Sequence, residues 1–225
     1  MLYLARKGRF YSGFGRPILA ENPSEFLGHH MMALIQENQH FWYRDECWAG
    51  SLNTVSRRLL HAGLLPNPTY HQVIDLSVSE DQLRKDMRKG ARCMIDKYEP
   101  IPVKITHLRE LHGQSAGRET RSDETWELQA RMITAGEAIC LGTDEAASLF
   151  VYNDQRCYYA VSAKVNRCPT HPIIWAAMRF AKGLGIRWFE MGQQHFDAKD
   201  MKTKGISLFK SAFGGRTRVF LDFTR

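Results

Sequence analysis

The sequence predicts an α+β fold: a mixed, mostly antiparallel twisted sheet flanked by helices, with a βαβ unit near the C-terminus. Three observations carry this. Residues 138–141, 147–152 and 157–162 are strand-like, and Asn153-Asp154-Gln155 supplies a hairpin turn between the last two. Thr170-His171-Pro172 then opens a helical pattern with Ile173, Ile174, Ala177, Met178 and Ala181 at helical spacing. Residues 186–192 read as a strand again, and a strand–helix–strand crossover pairs its strands in parallel. A meander feeding one such crossover gives a mixed sheet.

The remaining elements follow in chain order. Residues 1–20 are aromatic and glycine-rich and read as short strands and turns. Phe26, Leu27, Met31, Leu34 and Ile35 predict a helix, and residues 52–60 another, stopped by Gly63, Pro66 and Pro68. Residues 71–76 read as a strand. Ser77-Val78-Ser79-Glu80 has capping spacing for a helix over about 79–97, which carries Arg84, Lys85, Arg88, Lys89, Arg92 and Lys97. Residues 103–105 read as a short strand and 107–116 as a helix. A loop at 117–122 leads into a helix with Trp126, Leu128 and Met132. After the 186–192 strand, a polar loop over 193–203 leads to a helix or turn, and 218–223 is a final strand.

With 225 residues the chain buries a core without staples and reads as a single domain, 1–225. Its N-terminal strands and helices occupy 1–70 and its core 71–225. At 44 % hydrophobic and 24 % charged it is neither a disordered nor a membrane-embedded sequence. The formal charge of +7 favours an anionic partner. Cys47, Cys93, Cys140, Cys157 and Cys168 are odd in number and lack C-x-x-C spacing, so neither a metal site nor a disulfide framework is expected. No signal peptide and no run of about 20 apolar residues is present. A cytoplasmic protein is expected, with peripheral attachment at the inner membrane face as the alternative.

The most informative segment is Lys204-Gly205-Ile206-Ser207-Leu208-Phe209-Lys210-Ser211-Ala212-Phe213-Gly214-Gly215. Phe209 and Phe213 lie one helical turn apart with Lys210 between them, and the double glycine permits a sharp turn or a close approach. Anchored aromatics would fix the cation at the edge of a cleft. Lys199, Lys202, Lys204, Lys210, Arg216 and Arg218 make this stretch basic.

Five segments resemble the acyltransferases of the GNAT superfamily, and within it a single-module member of the FemAB-like branch. They are Val73-Ile74-Asp75-Leu76-Ser77 with residues 88–95, Leu111-His112 with Gly117-Arg118, Tyr158-Tyr159-Ala160, His171-Pro172-Ile173-Ile174-Trp175-Ala176-Ala177, and Glu190-Met191-Gly192 followed by Ile206, Phe209-Lys210 and Phe213-Gly214-Gly215. The resemblance spans residues 70–218. It implies transfer of an acyl or aminoacyl group from acyl-CoA (acetyl-CoA) or aminoacyl-tRNA to an amine, and it places Lys210 at the reaction centre. The glycine-rich pyrophosphate loop of ordinary CoA-using members is replaced by Asn166-Arg167-Cys168-Pro169-Thr170-His171-Pro172, which leaves the donor open.

Acyl transfer to an amine needs an aimed, deprotonated amine, a stabilised oxyanion and a proton for the leaving group. Lys210 supplies the cation. Tyr158 and Tyr159 alternate across a strand, one toward the core and one toward the cleft; Tyr159 is taken as the proton donor. Glu190 orients or deprotonates the amine, and otherwise pairs with Arg187 or a lysine. His171 is a base, a phosphate contact or a packing residue. Phe209, Arg167, Thr170 and Lys204 are assigned to the donor, with Arg167 and the helix N-terminal amides holding phosphate. Arg118 and Arg121 are assigned to an anionic acceptor through bidentate bonds, together with Trp126 unless that residue is core.

The expected acceptor is a sugar-nucleotide, lipid-linked or peptide amine of a cell-envelope precursor. A tRNA partner and a homodimer mimicking paired modules are both compatible. The competing reading is a non-catalytic module of the same fold that binds nucleic acid or an anionic glycan.

Overall fold

The computed structural model describes residues 4–7, 10–13, 41–46, 52 and 54–224. The helix expected around Phe26–Ile35 lies outside them. Contacts gather the chain into two compact units, residues 1–71 with 217–225, and residues 72–216.

In the first unit, β1 (Leu4–Lys7) pairs antiparallel with β2 (Phe10–Gly13), and β2 pairs parallel with β3 (Phe41–Glu46). β10 (Arg216–Thr224) lies antiparallel to β3. Helix α1 (Thr54–His61) brings Val55 and Leu59 onto Tyr43 and Phe223. Asp222 receives a two-pronged contact from Arg44, at 2.6 and 2.9 Å, and a bond from the Thr69 hydroxyl.

The second unit contains the expected meander and crossover. Its strands run from the end of β4 (Pro66–Asp75) through β9 (Trp188–Gln194), β8 (Arg156–Lys164), β7 (Ala146–Tyr152), β6 (Ala138–Gly142) and β5 (Ile101–Pro102). The β5–β6, β6–β7 and β7–β8 pairs are antiparallel, whereas β8 and β9 are parallel. The crossover between them is α6 (His171–Gly183), which buries Ile173, Ile174, Trp175, Ala177, Met178 and Ala181. These pack on Phe150, Phe189 and Met191 from one face of the sheet. The Lys182 ammonium donates to the Leu76 and Val78 carbonyls at 2.7 Å each, tying the end of α6 to the end of β4. On a second core, Leu108 and Leu111 of α4 (Ile105–Ala116) and Trp126 of α5 (Asp123–Thr134) cover Leu149, Val161 and Ala163.

Two local expectations change. The single helix over 79–97 is two short ones, α2 (Glu80–Asp86) and α3 (Lys89–Met94). The chain leaves the helix at Met87, and the Arg88 N–H donates to the Ala212 carbonyl at 2.9 Å, a tertiary bond where a helical one would continue. Arg84 forms a two-pronged bond to Asp96 and lies 5.0 Å over the Trp175 ring. The strand expected at 103–105 is displaced to Ile101–Pro102, and Ile105 already begins α4.

The end of the chain's most informative segment explains its double glycine. Helix α7 (Met201–Ser211) stops at Ala212, and Gly214 and Gly215 take φ of +82° and +81°. A β-carbon on Gly215 would lie 2.4 Å from the Val73 carbonyl oxygen, and one on Gly214 3.0 Å from Asp86. Only glycine lets the chain cross β4 and α2 this closely.

Candidate active site

The site is built on β9, whose alternation divides its side chains between two faces. Phe189 and Met191 enter the core beneath α6, while Glu190, Gly192 and Gln194 line the other side. Pairing of β8 with β9 covers Arg156↔Trp188, Cys157↔Phe189 and Tyr158↔Glu190, and goes no further, although β8 runs on to Lys164 and β9 to Gln194. Just beyond, Leu149 pairs with Val161 but Phe150 with Tyr159, so Ala160 is an extra residue on β8. Such a bulge re-aims a strand and ends a ladder. The two parallel strands therefore part at Tyr158 and Glu190, opening a cleft between them.

Lys210, in the last turn of α7, reaches this point. Its Nζ donates to the Gln193 carbonyl at 2.7 Å. Burial pulls its pKa below the ordinary lysine value, and the negative charge of Glu190 pushes the other way. Gly192 has φ +85°, and a β-carbon there would lie 3.3 Å from Lys210 Nζ and 3.6 Å from the Tyr158 hydroxyl. The ammonium and the phenol thus border one methyl-sized hollow over Gly192. Glu190, 4 % exposed, accepts from Arg156 Nη1 at 3.2 Å. The polar row continues through Gln194, whose amide donates to Gln72 at 2.9 Å; Gln72 in turn donates to the Gly214 carbonyl.

Of the four residues expected to do chemistry, this geometry brings Lys210 and Glu190 together. The tyrosine beside Lys210 is Tyr158, not Tyr159. Tyr159 packs on Phe150 with ring centroids 5.6 Å apart, and its hydroxyl bonds to Ser148 and Ser162. Burial raises its pKa, so it remains a neutral core phenol. His171 forms an aromatic trio with Phe209 and Phe213 at centroid separations of 5.1 and 5.4 Å. Its pKa is lowered first by burial and then by the charge of Lys164, which leaves it neutral, and its Nδ1 is buried without a hydrogen-bond partner. The two phenylalanines are themselves edge-to-face at 5.3 Å, so this trio fixes the helix turn from which Lys210 projects.

Among the donor residues, Phe209 belongs to that trio. Thr170 is the N-cap of α6, yet its side chain makes no capping bond. Arg167 and Lys204 are exposed, Arg167 just ahead of α6 and Lys204 early in α7. The acceptor residues Arg118, Arg121 and Trp126 do meet. Arg118 and Trp126 line a cavity of about 540 Å³ with Arg109, His112 and Thr120, between α4 and α5. Arg121 donates to His112 Nε2 at 2.7 Å and lies 5.6 Å over the Trp126 ring. Burial and then the Arg121 charge lower the His112 pKa, so this imidazole is a neutral acceptor. Trp126 is both core and cavity wall: it is 5 % exposed.

Sequence reasoning passed over Arg156, Gln193, Gln194 and Gln72, and of the tyrosine pair it took Tyr159 rather than Tyr158 as the donor. Gln194 carried a signal, since it shares the two-residue alternation of Glu190 and Gly192. The others depend on strand register. Among the described residues no cluster of His, Cys, Asp or Glu is arranged to hold a metal ion, and no helix is long and apolar enough to cross a membrane.

No family model and no curated protein matches the sequence. Solved structures do match in fold. FemX aligns with 98 % of this chain and 83 % of its own, at a TM-score of 0.71 and 11 % identity. The C-terminal domain (DUF2156) assigned to a lysylphosphatidylglycerol synthetase from Agrobacterium fabrum aligns with 98 % and 80 %, at 0.58 and 15 %. L-PGS from Bacillus licheniformis aligns with 99 % and 80 %, at 0.57 and 14 %. Over nearly its whole length the chain thus shares the fold of FemX, a mixed α+β sheet flanked by helices.

Proposed function

We propose that this chain is an N-acyltransferase. It moves an acyl or aminoacyl group from acyl-CoA or aminoacyl-tRNA to an amine on a sugar or peptide precursor of a cell-envelope polymer. One observation carries the reading: Lys210 Nζ and the Tyr158 hydroxyl border the same hollow over Gly192, where β8 and β9 part. A carbonyl oxygen placed there meets a cation, and the neighbouring phenol stands ready for a leaving group.

In the reaction the neutral acceptor amine attacks the donor carbonyl carbon, forming the C–N bond. Negative charge collects on the carbonyl oxygen and is stabilised by the Lys210 ammonium. The C–S or C–O bond to the donor then breaks, and its electron pair leaves with the thiol or ribose hydroxyl, which takes a proton from Tyr158. The ammonium formed on the acceptor returns a proton to the Tyr158 phenolate. Glu190 opposes the burial that lowers the Lys210 pKa and so favours its charged form, and Arg156 holds the carboxylate in place. His171 serves through packing, since its ring is locked between Phe209 and Phe213.

The donor's phosphates fit the start of α6, where Thr170 leaves the first N–H groups uncapped and Arg167 is exposed. The anionic part of the acceptor fits the α4–α5 cavity through Arg118, with Trp126 in its wall and Arg121 stacked on the Trp126 ring. The name of the Agrobacterium neighbour, a synthetase of an aminoacyl lipid, supports keeping the aminoacyl donor beside acyl-CoA.

Thermal stability measured with acetyl-CoA, longer acyl-CoAs and charged tRNA tests the proposal. A true donor at 100 times its Kd stabilises by about 2.7 kcal/mol. No shift with any acyl donor overturns it. A shift only with uncharged tRNA or an anionic glycan transfers support to a non-catalytic binding module.

A further inference from the structure

Four of the large apolar side chains that are exposed among the described residues fall within residues 196–208. Phe196 is 65 % exposed, Met201 79 %, Ile206 42 % and Leu208 57 %. Isolated apolar residues are ordinary on a surface, but apolar side chains sharing one face with cations mark a contact, and Ile206, on the Lys210 side of α7, is not part of that face. Met201 and Leu208 lie seven residues apart on α7, hence on one helical face, opposite the side from which Lys210 enters the cleft. Exposed Lys199, Lys202 and Lys204 are interleaved with them. The two acids here are Asp197 and Asp200, and Asp200 is occupied as the N-cap, accepting from the Thr203 N–H at 2.8 Å.

The lysines stand where a helix disfavours them. The first turn of α7 holds no acidic residue, yet the dipole there favours negative charge. With the helix end itself capped by Asp200, the lysines are left to face an anionic surface outside the protein. Protruding apolar side chains between cations suit a fluid interface. We infer that the start of α7 and the loop before it dock on an anionic phospholipid bilayer. If the proposed transferase reading holds, this sets Lys210 one helix thickness from the surface, within reach of a lipid-linked acceptor.

Flotation with vesicles tests this without any transferase assay. The full chain is mixed with phosphatidylcholine vesicles and with equimolar phosphatidylglycerol–phosphatidylcholine vesicles. Binding is expected only to the anionic vesicles and is expected to fall with salt. Replacing Lys199, Lys202 and Lys204 by Gln together weakens it roughly 100-fold, at about fivefold per lysine. Met201→Glu with Leu208→Glu abolishes it, while Leu184→Glu, another exposed leucine, leaves it unchanged. All these side chains are exposed, and unchanged melting temperatures establish that the variants fold. Failure of the wild type to bind anionic vesicles overturns the inference, as does equal binding by the variants. It is also overturned if the Met201/Leu208 variant turns a dimer into a monomer in sedimentation, since the face then seats a second copy.

Discussion

Replacing Lys210 by Met separates chemistry from stability. The substitution keeps an unbranched apolar stem of similar length and removes the ammonium and its bond to the Gln193 carbonyl. A hydrogen bond from a charged donor contributes about 1.5–3 kcal/mol. Against this stands the cost of burying the charge, which is what lowers the Lys210 pKa. The two largely offset, so the expected change in stability is within about 1 kcal/mol, or roughly 2–4 °C in Tm. Turnover has no such compensation: loss of one oxyanion-stabilising group costs roughly 10²–10³-fold in kcat. The pH dependence is a further signature. Because the folded pKa lies below that of an unfolded lysine, the unfolded chain binds more protons between the two values. Stability therefore rises with pH across that window, and the burial penalty is fully present below it. Lys210→Met removes this rise, as urea midpoints taken from neutral pH to about pH 10 will show. Thiol release from acyl-CoA, or loss of the aminoacyl ester from tRNA, reports kcat. Undiminished turnover with normal stability would refute the role of Lys210. A Tm loss far beyond the stated range would show instead that the lysine is structural.

Tyr158→Phe is expected to lower kcat by about 10²-fold or more with Tm unchanged, in the same turnover assays. Tyr159→Phe should do the reverse, costing about 1 kcal/mol in denaturant unfolding because Ser148 and Ser162 lose a partner, with kcat preserved. Gly192→Ala forces a β-carbon into a left-handed residue at a cost of about 1–2 kcal/mol, so calorimetry should show Tm lower by roughly 2–8 °C. It also fills the hollow between Lys210 and Tyr158, and should abolish the stabilisation that a donor gives the wild type. Arg118→Gln removes a cation from the α4–α5 cavity. Steady-state kinetics should show the acceptor KM raised by roughly 10–100-fold with kcat unchanged.

The sheet order of the second unit was legible because it rests on local signals. The Asn153 turn closes the β7–β8 hairpin, its side chain accepting from the Gln155 and Arg156 N–H groups at 3.0 and 2.8 Å. Pro172 and the apolar spacing after it define α6. Lys210 was legible for a similar reason, since its flanking phenylalanines and the glycines after them are all close in sequence. Long-range bonds were not. The break between α2 and α3 is made by Ala212, more than a hundred residues away, and no helix-stopping residue announces it. Nor does anything in the Tyr158-Tyr159 pair say which ring meets the cleft. That choice is settled by pairing with Glu190 and by the extra residue Ala160, both properties of the assembled sheet.

The same dependence explains why the site gathers where it does. A parallel pair that ends after three residues leaves β8 and β9 diverging from Tyr158 and Glu190, and a divergence needs a side chain to enter it. Lys210 is the one that does, from a helix whose direction is fixed twice over. The Phe209–Phe213–His171 trio holds its inner face, and the double glycine beyond it crosses β4 at a distance no β-carbon allows. Neither constraint involves the ammonium itself. Both would survive Lys210→Met, which is why the charge is expected to matter for turnover rather than for folding. A cation held this way, lowered in pKa by burial and opposed in that by Glu190, should cost little in folding when Lys210 becomes Met, so a large loss of turnover at unchanged Tm is the outcome that supports the proposed transferase.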